Sequence, residues 1–236
     1  MLELSRARRP EILLVKRTEI LGPRLGVFAS SFNPITTAHV ALIDRAARAF
    51  SLEQVLALAG VSNADKQVYD CPLDVRLEML EMALGCVSNV SIGISSTAFF
   101  VDMIDPIVRA FPFGVSPYFI VGFDTFIRIL DFESRYLARY DRTFSDRGAA
   151  LDYLLSNSHL IVASRAGQGK KEISELVAHE YRVPAGRVLS LDFPPDLGER
   201  SATEVRKRVR EGLPVAGLVA PAVADFIEAH RLYLDS

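Results

Sequence analysis

The chain has 236 residues, half of them hydrophobic and 24% charged, with a net charge of -2. That is enough chain for one sizeable core, and too little positive charge for a broad electrostatic grip on nucleic acid; no apolar run approaches the roughly 20 residues that span a bilayer. The only cysteines, Cys71 and Cys86, lack the spacing of a zinc site or disulfide framework, and the apolar stretch near the N-terminus is too short for a signal peptide, so a reduced, cytoplasmic setting is expected.

In chain order, EILLVKRTEILGP in the first 24 residues reads as a hairpin or an extra edge strand. Six short, nearly continuous apolar runs follow: LGVFA at 25–29, QVLALAG at 54–60, VSIGIS at 90–95, YFIVG at 118–122, HLIVAS at 159–164 and RVLSLDF at 187–193. Such runs fit parallel strands buried on both faces. Helical periodicity separates them: Val40, Ile43, Ala47 and Phe50 form one face, Val75, Met79, Met82 and Ala83 another, and 124–139, 146–156 and 171–181 three more. The alternation predicts an α/β fold, an open and mainly parallel Rossmann-like sheet with helices on both faces. From Ser201 two helical segments follow without a strand. The first opens on Ser201 with Glu204 three residues on, which is capping-box spacing, and ends at Gly212 and Pro214. The second begins at Pro221. One domain is expected, with 1–24 as an extension, 25–200 as the nucleotide-binding core and 201–236 as a small helical appendage.

The segment SFNPITTAH at 31–39 lies where the first strand after the extension runs into a helix. In an open α/β sheet, ligands bind beyond the carboxyl ends of the strands. The amides and dipole of a helix start attract phosphate there. Ser30, Ser31 and Phe32 would lie at the backbone an anion approaches, and His39 in the first helical turn could donate to it. A helix cap at Thr36 or Thr37, with Pro34 as a turn residue, explains the same letters without a ligand.

GVFASSFNPITTAH resembles the first signature of the nucleotidylyltransferase superfamily, with Thr36 at its His/Thr position, His39 at its final His and Ala38 where the family prefers Gly. Ser201, Ala202, Thr203, Glu204, Val205 and Arg206 resemble its I-S-S-T-x-x-R second signature, with Ala202 replacing a serine and Arg200 the isoleucine. ISST recurs at 94–97, but Phe100 stands where the arginine would be, so it reads as a strand end feeding a helix. Within the superfamily the chain is most similar to the nicotinamide/nicotinate mononucleotide adenylyltransferases. VSNADK with Lys66, DVRLEMLEMAL with Arg76, FFVDMI with Asp102, YFIVGFD with Gly122 and Asp124, HLIVASRAG with Arg165, and the closing segment from Thr203 carry that likeness. SFNPIT-x-x-H alone is closest to the pantetheine-phosphate adenylyltransferases.

The resemblance implies attack by a mononucleotide phosphate on the α-phosphorus of ATP, with release of pyrophosphate. His39, Thr36, Lys66 and Arg206 would be catalytic. Ser30, Ser31, Phe32, Ser201, Thr203, Arg206, Gly122 and Asp124 would hold ATP, and Arg165, Asp102 and Phe123 the mononucleotide. Mg2+ would be bound mainly through the ATP phosphates, with no protein metal site. ATP and a small phosphate-bearing mononucleotide are the expected partners, with no nucleic acid and no membrane; a homo-oligomer stays open. The branch's usual tryptophan is absent, so Phe123, Phe126, Phe132 or Tyr136 would have to stack on the pyridine. A degenerate nucleotide-binding sensor is the non-enzymatic alternative.

Overall fold

In the computed structural model, the structure describes residues 9–19, 22–61, 71–111, 114–131, 133–164, 169–179, 183–198 and 200–234. Lys66, Phe132 and Arg165 lie outside them. The strands are β1 (Ile12–Lys16), β2 (Arg24–Ser30), β3 (Gln54–Gly60), β4 (Val90–Ser95), β5 (Ser116–Gly122), β6 (His159–Ala163) and β7 (Val188–Leu191). The helices are α1 (Thr37–Ala49), α2 (Leu73–Leu84), α3 (Phe100–Ala110), α4 (Phe123–Leu130), α5 (Arg147–Asn157), α6 (Lys170–His179), α7 (Pro195–Gly198), α8 (Ala202–Arg210) and α9 (Pro221–Ala229).

One sheet runs β1-β4-β3-β2-β5-β6-β7. Its pairs are parallel except β1 with β4, which is antiparallel with a register shift between Leu14 and Lys16. Among the described residues, the N-terminal segment supplies an added edge strand. From β2 the chain steps outward to β3 and β4, then returns to the other side of β2 at β5. That reversal is the switch point, and it puts a crevice beside the carboxyl end of β2.

The central strands are apolar on both faces because both faces are covered. On β2, Val27 belongs to the same apolar cluster as Leu58, Ile104, Phe126 and Leu154, while its neighbour Phe28 belongs to the cluster on the opposite side, with Ile43, Leu80, Val223 and Ile227. The period-2 geometry of a strand makes this division. The helices from α8 onward belong to the Phe28 side, through Val205, Val223 and Ile227, so they cover the same face of the sheet as α1.

Two local expectations change. The helix predicted over 124–139 stops at Leu130, because Asp131 takes a left-handed conformation (φ 44°). Its carboxylate accepts the amides of Arg135 (2.8 Å) and Tyr136 (3.0 Å). An aspartate that binds nearby backbone offers the chain an alternative to continued helix. At α8, Ser201 accepts the Glu204 amide at 3.1 Å, but the Glu204 carboxylate turns to Arg208 (2.8 Å). The expected capping box is formed on one side only.

Candidate active site at the carboxyl edge of the sheet

The junction between β2 and α1 is built around an imidazole. Thr36 is the N-cap of α1. Its hydroxyl accepts the His39 amide at 3.4 Å, and the His39 Nδ1 accepts the Thr36 amide at 2.9 Å. This is a reciprocal capping box with histidine in the place usually taken by glutamate. Since Nδ1 accepts a backbone N–H, the neutral ring carries its proton on Nε2. The ring lies 5.7 Å from Phe28 and 5.5 Å from Phe32, centroid to centroid. Loss of the water shell lowers its pKa from 6.5 to about 4. His39 is therefore a neutral N–H donor near neutral pH. Thr36 is 1% exposed and its hydroxyl is committed to the helix start, so it would act on a substrate through the ring it holds. Phe32 is fully buried with φ 46° and can offer a ligand only its backbone.

The second signature docks on the first. The Arg206 guanidinium donates through Nη1 to the Asn33 carbonyl, and Nη2 lies 3.4 Å from Thr203 Oγ1. Thr37 donates its amide to Leu218 O (2.8 Å) and its hydroxyl to Gly217 O (2.9 Å). Tyr233 donates to Asn33 Oδ1 at 2.9 Å. Ser201, Thr203 and Arg206 are thus brought to the SFNP loop. Arg76, 1% exposed, ties the neighbouring strand ends together: Nη1 donates to Ser31 O (2.6 Å) and Gly60 O (3.1 Å), and Nε to Cys71 O (3.2 Å). Gly122 ends β5 as the N-cap of α4, with exposed Asp124 in the helix's first turn.

Beside this grip lies a cavity of about 300 Å³. Ser30 and Ser31 form its near wall, and Gly60, Ser95 and Thr97 continue it along the strand ends. Phe99, Tyr136 and Tyr140 add an aromatic wall, with Arg128 and Arg147 among its cations. The Phe99 ring is 5.8 Å from Tyr136 and 5.2 Å from Tyr140, and the Arg139 guanidinium lies 5.2 Å from the Phe99 centroid. Burial pushes the Tyr140 phenol up to about 12, so it stays protonated.

Several expected residues fall elsewhere. Phe123 and Phe126, 4% and 0% exposed, are in the core under β5 and do not line the cavity. Only Tyr136 of the described stacking candidates does. Asp102 faces a second cleft with Asp105, Arg109, Asp141 and Arg142; its carboxylate accepts the Asp141 amide at 3.0 Å, and burial raises its pKa. Conversely, the 94–97 repeat, read as a plain strand end, supplies cavity residues Ser95 and Thr97. Phe99 and Tyr140 carried no usable signal beyond being aromatics near a strand end and in a charged stretch. Among the described residues, no group of three or more His, Cys, Asp or Glu is placed to hold a metal, and no helix is long and apolar enough to cross a membrane.

A family model described as cytidylyltransferase-like matches residues 27–208. Two relatives bear the name "Probable nicotinate-nucleotide adenylyltransferase". That of Herpetosiphon aurantiacus is 27% identical over 89% of this chain and 98% of its own, and that of Bordetella pertussis is 27% identical over the same shares. Among solved structures, the nicotinic acid mononucleotide adenylyltransferase of Plasmodium falciparum complexed with NaAD superposes with a TM-score of 0.66 at 16% identity, over 90% of this chain and 98% of that one.

Proposed function

The chain belongs to the cytidylyltransferase-like family, and from that premise we propose that it is an adenylyltransferase joining ATP to nicotinate mononucleotide in NAD biosynthesis. A phosphate oxygen of the mononucleotide attacks the α-phosphorus of ATP. The bond from that phosphorus to the bridging oxygen breaks, and pyrophosphate leaves. The nucleophile is already anionic, so alignment and charge stabilisation carry the reaction.

One observation carries this reading: Ser30, the last residue of β2, and Ser31, the first of the loop that leads to His39, both belong to the wall of the aromatic cavity. A mononucleotide with its ring among Phe99, Tyr136 and Tyr140 would direct its phosphate toward that loop. The His39 Nε2–H donates to the α-phosphate as charge builds. Arg206, with the start of α8, holds the β- and γ-phosphates, for which a forked guanidinium is suited. Gly122 and Asp124, at the end of β5 and the start of α4, are assigned to ATP in this reading. A divalent ion carried by the triphosphate would supply partial charge neutralisation there, beside the Arg206 guanidinium. The acid form of the pyridine is favoured because Arg128 and Arg147 line the cavity, while the described lining residues include no carboxylate.

Pyrophosphate release, measured with ATP or CTP against nicotinate mononucleotide, nicotinamide mononucleotide and phosphopantetheine, tests the assignment. Turnover is expected with ATP and nicotinate mononucleotide, weaker with the amide. Turnover confined to phosphopantetheine, or ATP binding with no turnover of any acceptor, would overturn it.

A further inference from the structure

After α9 the chain makes a turn through two non-glycine residues in the left-handed region, Arg231 (φ 51°) and Tyr233 (φ 66°). Side chains there crowd the backbone, so the conformation persists only where surrounding contacts impose it. At Tyr233 those contacts are visible. The side chain is 5% exposed and packs in the core cluster that includes Phe28, Phe32 and Ile35. Its hydroxyl donates to Asn33 Oδ1 at 2.9 Å. The Cys71 thiol is a second hydrogen-bond partner, and burial pushes the phenol well above its usual pKa. The hydroxyl thus remains a donor at any physiological pH.

Asn33 is where this contact matters. Its backbone carbonyl accepts Arg206 Nη1, and its side chain accepts Tyr233. One residue of the SFNP loop is therefore held from two points of the C-terminal segment, and Arg206 is aimed by a carbonyl whose residue Tyr233 fixes. Arg206 also reaches Thr203 Oγ1, a longer contact of 3.4 Å at an exposed side chain, so Asn33 is the buried member of that seat.

We propose that Tyr233 is a positioning residue for the triphosphate grip: through its hydrogen bond to Asn33 it fixes the loop carbonyl that orients Arg206, so that closure of the C-terminal turn is part of forming the ATP site. The proposal rests on the reading of Arg206 as a triphosphate ligand. It separates Tyr233 from the cavity of Phe99 and Tyr136, which it does not line.

The test is Tyr233→Phe, which keeps the ring and removes the hydroxyl. Affinity for a non-hydrolysable ATP analogue with Mg2+ is measured by calorimetry, and KM for each substrate by pyrophosphate release. The expected result is a roughly five-fold loss of ATP-analogue affinity, a matching rise in KM for ATP and a KM for the mononucleotide within two-fold of wild type. Asn33→Ala should reproduce that pattern, and adding Tyr233→Phe to it should change little more. In an Arg206→Ala background, Tyr233→Phe should likewise have less than a two-fold effect, because groups acting through one another are not additive. Unchanged ATP-analogue affinity in folded Tyr233→Phe would overturn the proposal. So would effects that multiply independently of Arg206, or equal rises in both KM values. If Tyr233→Phe fails to fold, Asn33→Ala decides between the same two outcomes through the same binding measurement. Because the analogue titration needs no acceptor, a wrong acceptor would leave this result standing while sinking the proposed reaction.

Discussion

The grip around His39 is assembled from two short segments, 30–39 and 200–206, whose polar groups include helix-start amides, a capped imidazole and the guanidinium groups of Arg200 and Arg206. The cavity beside it draws its wall from the ends of β3 and β4, from α3, α4 and α5, and from the stretch around Tyr136. The first construction depends on backbone geometry at helix starts, which needs particular residues at fixed spacing. The second depends on shape, which many aromatic placements can supply. Under the proposed function, the triphosphate half of the site is therefore written into motifs and the ring half is dispersed.

The contrast can be broken at its sharpest point. His39→Ala removes a fixed donor to a developing charge, so kcat should fall about a hundred-fold while ATP binding persists. Loss of the cap should also lower stability by about 1 kcal/mol; wild-type turnover in a folded variant would remove His39 from the reaction. The same residue makes a prediction about pH. An imidazole with a folded pKa of about 4, against 6.5 ordinarily, binds fewer protons folded than unfolded between those values. Its contribution to stability is complete above pH 6.5 and is lost as the pH falls toward 4. An NMR titration of the ring should show a midpoint near 4, and a midpoint near 6.5 would mean that the ring is solvated.

Next in size is Arg206→Ala. A charge-assisted contact of about 2 kcal/mol gives roughly a thirty-fold loss in ATP affinity, with the mononucleotide KM unchanged. The aromatic wall should give the converse. Phe99→Ala or Tyr136→Ala should raise the mononucleotide KM by about five-fold or more and leave that for ATP alone. Phe126→Ala, in the core, should instead lower stability by about 3–5 kcal/mol, read as a fall in melting temperature. The smallest effect on the free protein belongs to Gly122→Ala. Its φ is -77° and an added Cβ meets nothing within 4 Å, so stability should stay within about 0.5 kcal/mol. A rise in KM for ATP would then report nucleotide close to that backbone, and unchanged kinetics would place the nucleotide elsewhere.

The sheet was legible because strands buried on both faces leave unbroken apolar runs: β3 and β4 fall on residues 54–60 and 90–95 as read from the sequence. The end of α4 was not, because the periodic pattern through 139 says nothing of the Asp131 carboxylate that captures two amides beyond it. His39 and Arg206 were singled out by the resemblance of their short segments to family signatures, and the fold brings those two segments together at Asn33. Arg76 could be picked out, but its bonds to Ser31 and Gly60 could not, since they depend on the fold setting the ends of β2 and β3 beside the start of α2. Tyr233 was hidden for the same reason: its partner Asn33 lies 200 residues away. Aromatic residues gave the least guidance, because Phe126 in the core and Tyr136 on the cavity look alike until the fold decides which faces what.

The bond between the Thr36 amide and the His39 ring has a dynamic consequence. It is at once the first clamp of α1 and the contact that sets the imidazole's tilt. When the opening turn of the helix frays, the ring loses this contact in the same event. Under the proposed function, the balance between the closed and the frayed turn then sets the fraction of molecules with the imidazole aimed. Exchange of the Thr36 amide with solvent deuterium reads that balance in the resting protein, before any nucleotide arrives.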